Sequence, residues 1–258
     1  MPDYTPLDQP SLFHYLFYPR KDFLICPEEA CDLFIEVQKD ISISCRIYAD
    51  KENWPTILYF HGNGEVVSDY NDIAEFYRRR KIKLIVADYR AYGASGGQPS
   101  FSKLIEDAHI IYKKVREKLS RQDSNFGLWI MGRSLGSMSA LELAYHYQQE
   151  IKGLIIESGF ASISRLIRHF GLPAPDKTLD RIEHECLDMI AETHCPALLL
   201  HGEYDSLVPL PEGQLILENL GAEDKKMVII PYADHNDIIF ADEERYFGNL
   251  RTFIDETK

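Results

Sequence analysis

Six short apolar runs recur along this chain: TILYFH (56–61), KLIVAD (83–88), LWIMG (128–132), GLIIE (153–157), ALLLH (197–201) and MVIIP (227–231). Continuous apolar runs of this length are strands buried on both faces, which is what a parallel sheet covered by helices requires. Between them lie stretches with helical spacing. DYNDIAEFYRRR follows the first run, FSKLIEDAHIIYKKVREKL the second and MSALELAYHY the third, and ADEERYFGNLRTFIDETK closes the chain. In the second of these, Leu104, Ala108, Ile111 and Val115 fall on one helical face. The alternation predicts an α/β fold with a mostly parallel, doubly wound sheet. Upstream, CDLFIEVQKDISISCRIYAD (31–50) gives two strand-like runs around Gln38-Lys39-Asp40, the pattern of an antiparallel hairpin. No repeat, linker or shift in composition interrupts the pattern, so residues 1–258 are expected to form one domain.

One segment breaks the alternation. Between the runs at 153 and 197 no strand is evident, but ASISRLIRHFGLPAPDK places Ile163, Leu166, Ile167 and Phe170 on one helical face before Pro173 and Pro175 end the helix. Residues 160–193 are therefore either a helix covering the sheet or a short cap over the strand ends. As a cap, Leu166, Ile167 and Phe170 are candidates for the wall of an acyl-chain pocket.

Charge narrows the partners. With 28 Lys+Arg against 41 Asp+Glu the net charge is -13, which disfavours nucleic acid and anionic membrane surfaces. The basic cluster Arg78-Arg79-Arg80-Lys81 closes a helical stretch, where cations complement the helix dipole, so a structural role is expected. No run reaches the roughly 18 apolar residues of a membrane span, and the acidic start MPDYTPLDQP does not resemble a secretory signal. The five cysteines show no C-x-x-C pairing, which fits reduced thiols and a cytoplasmic location.

The third run ends in Gly132-Arg133-Ser134-Leu135-Gly136, immediately before a helix. This matches the G-x-S-x-G nucleophile elbow, in which a serine on a sharp strand-to-helix turn needs neighbours without side chains. The following helix also aims its N-terminus at the reacting oxygen. A serine hydroxyl needs a base, and the base an orienting acid. Asp205, just beyond the fifth run, and His235, just beyond the sixth, stand where open α/β sheets place their ligands. Each residue type also serves in ordinary turns and caps, and Glu157 is a second candidate for replacing or assisting Asp205. The glycine-rich turn His61-Gly62-Asn63-Gly64 follows the first run, so the Asn63 N–H and the Leu135 N–H are candidates for an oxyanion hole. His184-Glu185 does not extend to H-E-x-x-H, and GASGG lacks the lysine of a phosphate-binding loop. His61 and His201 sit in strand-end HG turns, where a structural role is expected rather than metal ligation.

Together HGNG, DYRAYGASGG (88–97), GRSLGS, HGEYDSLVP and YADHND resemble the α/β-hydrolase superfamily in order and placement, over nearly the whole chain from about residue 30. Within it, the chain is most similar to the compact branch of serine hydrolases related to depalmitoylases and other α/β-hydrolase-domain proteins. The resemblance implies an α/β-hydrolase fold, with Ser134 as nucleophile, His235 as base, Asp205 as acid, and Asn63 and Leu135 as oxyanion donors. Two positions depart from the common pattern: Ala91 stands where glycine is commoner in D-Y-R-x-Y-G, and Ser137 replaces a frequent glycine or alanine. The expected activity is hydrolysis of a carboxylic ester or thioester through an acyl-enzyme, on a small-molecule or acylated substrate, with no cofactor and no metal. A peptidase acting on small peptides and a non-catalytic ligand-binding protein on the same fold are the alternatives. Oligomeric state is not legible.

Overall fold

The computed structural model describes residues 2–48, 53–122 and 127–257. Strand β1 (Ala30–Gln38) and β2 (Ile41–Tyr48) form the expected hairpin, with a register irregularity between Glu36 and Gln38 and Asp40 left-handed in the turn (φ 62°). The last two residues of the hairpin segment as read from sequence, 49 and 50, lie outside the described residues. Each of the six apolar runs is a strand: β3 (Thr56–Phe60), β4 (Lys83–Ala87), β5 (Leu128–Arg133), β6 (Gly153–Glu157), β7 (Ala197–Gly202) and β8 (Lys225–Ile230). They form one eight-stranded sheet in the order β1-β2-β4-β3-β5-β6-β7-β8. Among the described residues, the β1/β2 and β2/β4 pairings are antiparallel and the others parallel.

The helices follow in chain order: α1 (Pro10–Leu16), α2 (Tyr70–Arg79), α3 (Phe101–Gln122), α4 (Gly136–Tyr147), α5 (Ile163–His169), α6 (Asp176–Ala191), α7 (Leu210–Asn219), α8 (Ile238–Ala241) and α9 (Glu243–Glu256). Side chains alternate across a strand, so each central strand feeds two hydrophobic layers. On β3, Leu58 and Phe60 join the layer built with α1, α3, α4, α5 and α6, while Ile57 and Tyr59 join the layer with α2 and α9. Both layers are buried, which is why these strands read as unbroken apolar runs. Helices on both faces make this the α/β-hydrolase arrangement. Among the described residues no helix is long and apolar enough to cross a membrane.

The basic cluster is spent on the protein itself. Arg78 and Arg79 pair with Glu75, and Arg80 reaches Glu243 and Glu244 while lying 4.6 Å over the Phe247 ring. Lys81, left-handed at φ 54°, ends the helical stretch.

Segment 160–193 contains two helices where sequence reading found one. Helix α5 is capped by Ser162, whose hydroxyl accepts from Ser164 N–H, and Phe170 is its C-terminal boundary residue rather than part of its face. Helix α6 buries Leu179, Ile182, Cys186, Met189 and Ile190 along one stripe in the same layer as α4. The first residues of the chain also fold onto this layer. Tyr4, Leu7, Leu12, Leu16 and Phe17 are buried, and Asp8 caps α3 by accepting from Phe101 N–H (2.8 Å) and Ser102 N–H (3.3 Å).

Candidate active site

The backbone explains why a serine stands between two glycines. Ser134 is left-handed (φ 49°), a strained conformation for a residue with a Cβ. A Cβ on Gly132 would lie 2.3 Å from the Gly136 carbonyl oxygen, and one on Gly136 would lie 2.0 Å from the Phe60 carbonyl oxygen. Neither position tolerates a side chain while β5 turns so sharply into α4. The turn is pinned by Ser134 N–H to Glu157 O (2.9 Å), Ser137 N–H to Ser134 O (3.0 Å) and Ser137 Oγ to Ser134 O (2.7 Å). The unusual Ser137 thus adds a buried hydrogen bond to the elbow. Ala91, the other departure, is likewise left-handed at φ 69°, the reason glycine is commoner there.

Asp205 and His235 meet although thirty residues separate them. His235 Nδ1 lies 2.8 Å from Asp205 Oδ2 and 3.0 Å from Oδ1, and both side chains are buried. A carboxylate on Nδ1 favours the tautomer with the proton there, leaving Nε2 as the basic nitrogen. Asp205 Oδ1 also accepts from Leu207 N–H (3.1 Å) and Val208 N–H (2.7 Å). Burial by itself would raise the Asp205 carboxyl. The His235 hydrogen bond and charge, with the Val208 N–H, outweigh it and hold the group below its ordinary value. Asp234 ties the two loops together: its Oδ1 accepts from Ser206 N–H (2.8 Å) and His235 N–H (2.7 Å). Glu157 takes a different position. It accepts from Tyr246 and Tyr59 hydroxyls and faces Arg133 Nε at 3.3 Å, so the carboxylate on the His235 ring is that of Asp205.

Arg133, the x of G-x-S, was not singled out in the sequence, yet it links three loops of the site. It is buried; its Nε faces Glu157 at 3.3 Å and Glu65 at 3.2 Å. Its Nη2 donates to the His235 carbonyl (2.9 Å) and Asn236 Oδ1 (3.0 Å). Glu65 in turn accepts from Gly62 N–H (2.6 Å) in the HGNG turn and from Tyr70 Oη (2.8 Å). One guanidinium thereby fastens the elbow to both the histidine loop and the turn that carries Asn63.

The open side of Ser134 is a cavity of about 480 Å³. Ser134, Leu135 and Asn63 line it, together with Leu166 and Phe170 from the helical segment. Ile167 does not: it is wholly buried in the core. A further wall comes from Tyr15, Leu16 and Tyr18, which sequence reading left unassigned. Asn63 holds this wall in place, its Oδ1 accepting from Tyr18 N–H (2.9 Å) and Tyr92 Oη (2.6 Å) and its Nδ2 donating to Leu16 O (3.2 Å).

His61 and His201 are structural. His61 is buried with Nε2 3.2 Å from Asp88 Oδ1, and His201 Nε2 lies 2.8 Å from the Val208 carbonyl. Burial pushes the His201 imidazole below its ordinary 6.5, with Val208 O and Asp205 offsetting only part of this. The folded chain then binds fewer protons at this group than the unfolded chain does, so its contribution is complete above about pH 6.5 and is lost as pH falls through the folded value. The lowered Asp205 behaves the same way from about pH 4 downward. The urea midpoint should therefore begin to fall below about pH 6.5 and fall more steeply in the acid range. His201→Gln should flatten the upper part of that profile, and an unchanged profile in the variant would contradict the assignment.

Comparison with known proteins agrees with this architecture. The model of the family described as serine aminopeptidase, S33, matches residues 51–182, half of the chain. Protein bem46 of Schizosaccharomyces pombe is 30% identical over 210 residues, covering 80% of this chain and 69% of that protein. The uncharacterized protein YfhR of Escherichia coli is 28% identical over 184 residues, covering 70% of this chain and 63% of that one. Among solved structures, the Pyrococcus furiosus esterase Pf2001 superposes with a TM-score of 0.75 at 18% identity, covering 93% of this chain and 99% of that one. A monoacylglycerol lipase from Paleococcus ferrophilus gives a TM-score of 0.63 at 17% identity, covering 84% and 99%. At those identities the structures share the fold. The family model and the bem46 match carry the assignment further: the chain belongs to the serine aminopeptidase S33 family of α/β-hydrolases.

Proposed function

We propose that this α/β-hydrolase is a serine esterase acting on acyl esters, with thioesters as the second substrate class. The observation that carries the reading is the left-handed Ser134 opening into a largely apolar cavity, with an Asp205–His235 pair on the neighbouring loops. His235 Nε2 takes the proton of Ser134 Oγ as it attacks the carbonyl carbon, and Asp205 holds the imidazole and stabilises its cation. The Asn63 and Leu135 N–H groups stabilise the tetrahedral oxyanion. The alcohol or thiol leaves with the proton from His235, and water, activated by the same base, releases the acid. A cytoplasmic location for this activity is part of the proposal.

A peptidase reading draws support from the family description, which names a serine aminopeptidase. Recognition of a peptide amino terminus calls for a carboxylate beside the scissile bond. Among the described residues, those lining the cavity are Leu, Ile, Val, Phe, Tyr, Asn and Ser, with no acid. That lining suits an acyl chain instead.

Hydrolysis of p-nitrophenyl esters from acetyl to palmitoyl tests the proposal, with fluorophosphonate labelling of Ser134 as the check on the serine mechanism. No turnover and no labelling from folded protein would leave a ligand-binding role. The cavity makes a sharper prediction. Leu166→Trp fills its wall and should lower kcat/KM for long acyl chains about tenfold or more relative to acetyl. Phe170→Ala, at the partly exposed rim, should shift the length profile with little effect on stability. Equal losses across all lengths in both variants would sink the acyl-pocket assignment.

A further inference from the structure

Outside the serine pocket, the packed pair α3 and α4 carries a cluster that the reaction does not use. His109 comes from α3, while Glu142 and His146 stand four apart on α4, the spacing that puts two side chains on one helix face. One ligating atom from each of the three lies within 4.8 Å of the others. His146 Nε2 is 3.0 Å and His109 Nε2 3.7 Å from the same oxygen, Glu142 Oε1. The cluster sits about 15 Å along α4 from the elbow, taking 1.5 Å per residue.

Several observations separate this group from a surface ion pair. Glu142 is 1% exposed, and its second oxygen, Oε2, is buried with no hydrogen-bond partner among the described residues. A carboxylate in that position needs a compensating positive charge at close range. His109 is oriented from behind, with Nδ1 3.0 Å from Tyr147 Oη, and Tyr147 stacks on Tyr112 at 4.1 Å between centroids. Donation from Nδ1–H to that hydroxyl leaves the Nε2 lone pair facing Glu142, the tautomer and support that a metal-bound histidine needs. In that tautomer His109 cannot donate to Glu142, and 3.7 Å is too long for a hydrogen bond in any case. It is close to the ~3.3 Å expected between donor atoms of a tetrahedral ion with bonds of about 2.0–2.1 Å.

We propose that His109, Glu142 and His146 bind a divalent transition metal of the zinc type. Two imidazoles and one carboxylate are a donor set this class of ion takes, and His146 lies on the solvent side, where water completes the fourth position. The ion supplies the positive charge that Glu142 calls for and clips α3 to α4. The sequence reading looked for metal ligands in H-E-x-x-H spacing and among the strand-end histidines, and expected none. Only the packing of α3 on α4 brings His109 to the Glu142/His146 pair. The rival arrangement is a protonated His146 neutralising Glu142 without metal.

The test is calorimetric titration of chelator-treated full-length protein with Zn²⁺, together with Co²⁺ absorption spectra and thermal unfolding with and without Zn²⁺. The expected result is one Zn²⁺ per chain, an intense four-coordinate Co²⁺ band displaced by Zn²⁺, and a higher Tm with Zn²⁺. His109→Ala and His146→Ala should each weaken Zn²⁺ binding about tenfold or more and abolish the Tm rise, leaving ester turnover unchanged. Glu142→Gln probes the buried ligand; should it fail to fold, the solvent-side His146→Ala still decides the matter. Wild-type Zn²⁺ binding no tighter than that of the His109→Ala/His146→Ala double variant would overturn the site and favour the protonated pair. These readouts do not depend on whether the esterase reading stands.

Discussion

Ser134→Ala should lower kcat on p-nitrophenyl esters by about 10⁴–10⁶-fold while leaving the fold intact. In the proposed mechanism the loss is large because the hydroxyl is the attacking atom: without it, neither the His235 base nor the oxyanion donors can form an acyl-enzyme. Stability should hold because the turn is built from the Ser134 backbone, N–H to Glu157 O and C=O from the Ser137 N–H and hydroxyl. Alanine keeps all of these bonds. It also has the same φ preference as serine, so the strain at 49° is unchanged. Any residual rate reports what the cavity and oxyanion donors achieve with water alone. Circular dichroism and thermal unfolding alongside the kinetics complete the measurement. A folded variant that retained most of the wild-type rate would remove Ser134 from the mechanism.

Arg133→Met is expected to destabilise the protein by about 3–5 kcal/mol, a fall in Tm of about 6–20 °C for a domain of this size. The side chain is buried against the fully buried Glu157 and the part-buried Glu65. Methionine fills similar space but strands the Glu157 carboxylate, and breaking one side of a buried pair costs more than the pair contributes. Burial already pushes Glu157 upward, with Arg133 acting against that shift. The substitution also removes the donor that holds the His235 carbonyl and Asn236, so turnover should fall along with stability. Two companions separate charge from geometry. Arg133→Lys keeps the cation but not the forked donors and should fall between wild type and Met. Arg133→Met combined with Glu157→Gln should recover part of the lost stability, because the stranded charge is gone. A shift under about 1 kcal/mol for Arg133→Met would show that the network contributes little beyond an exposed ion pair.

How much of this could be read in advance depends on how far each feature reaches along the chain. Strands β3–β7 were legible because burial on both faces writes itself into consecutive residues, while the half-exposed edge strand β8 and the hairpin were legible from their apolar and strand-like runs around turn residues. The elbow was legible because its steric demands, though partly imposed by Phe60 on β3, leave their mark as glycines within Gly132–Gly136. Helix α6 carries a signal that was available and unused: Leu179, Ile182, Cys186, Met189 and Ile190 keep helical spacing. The wall formed by Tyr15, Leu16 and Tyr18 has no such signal, since its place depends on α1 packing onto the finished core and on the hydrogen bonds of Asn63 and Tyr92.

The same division runs through the whole protein. By itself the sequence determined the sheet, its parallel core, the turn that lifts Ser134, and the candidate residues at the strand ends. Those follow from side-chain period and local sterics. Tertiary structure decided which carboxylate meets His235, which side chains of α5 reach the cavity, and that Arg133 and the His109–Glu142–His146 group have neighbours worth naming. Each of those is a distance between elements remote in the chain, and such distances arise only when helices and loops pack against the finished sheet.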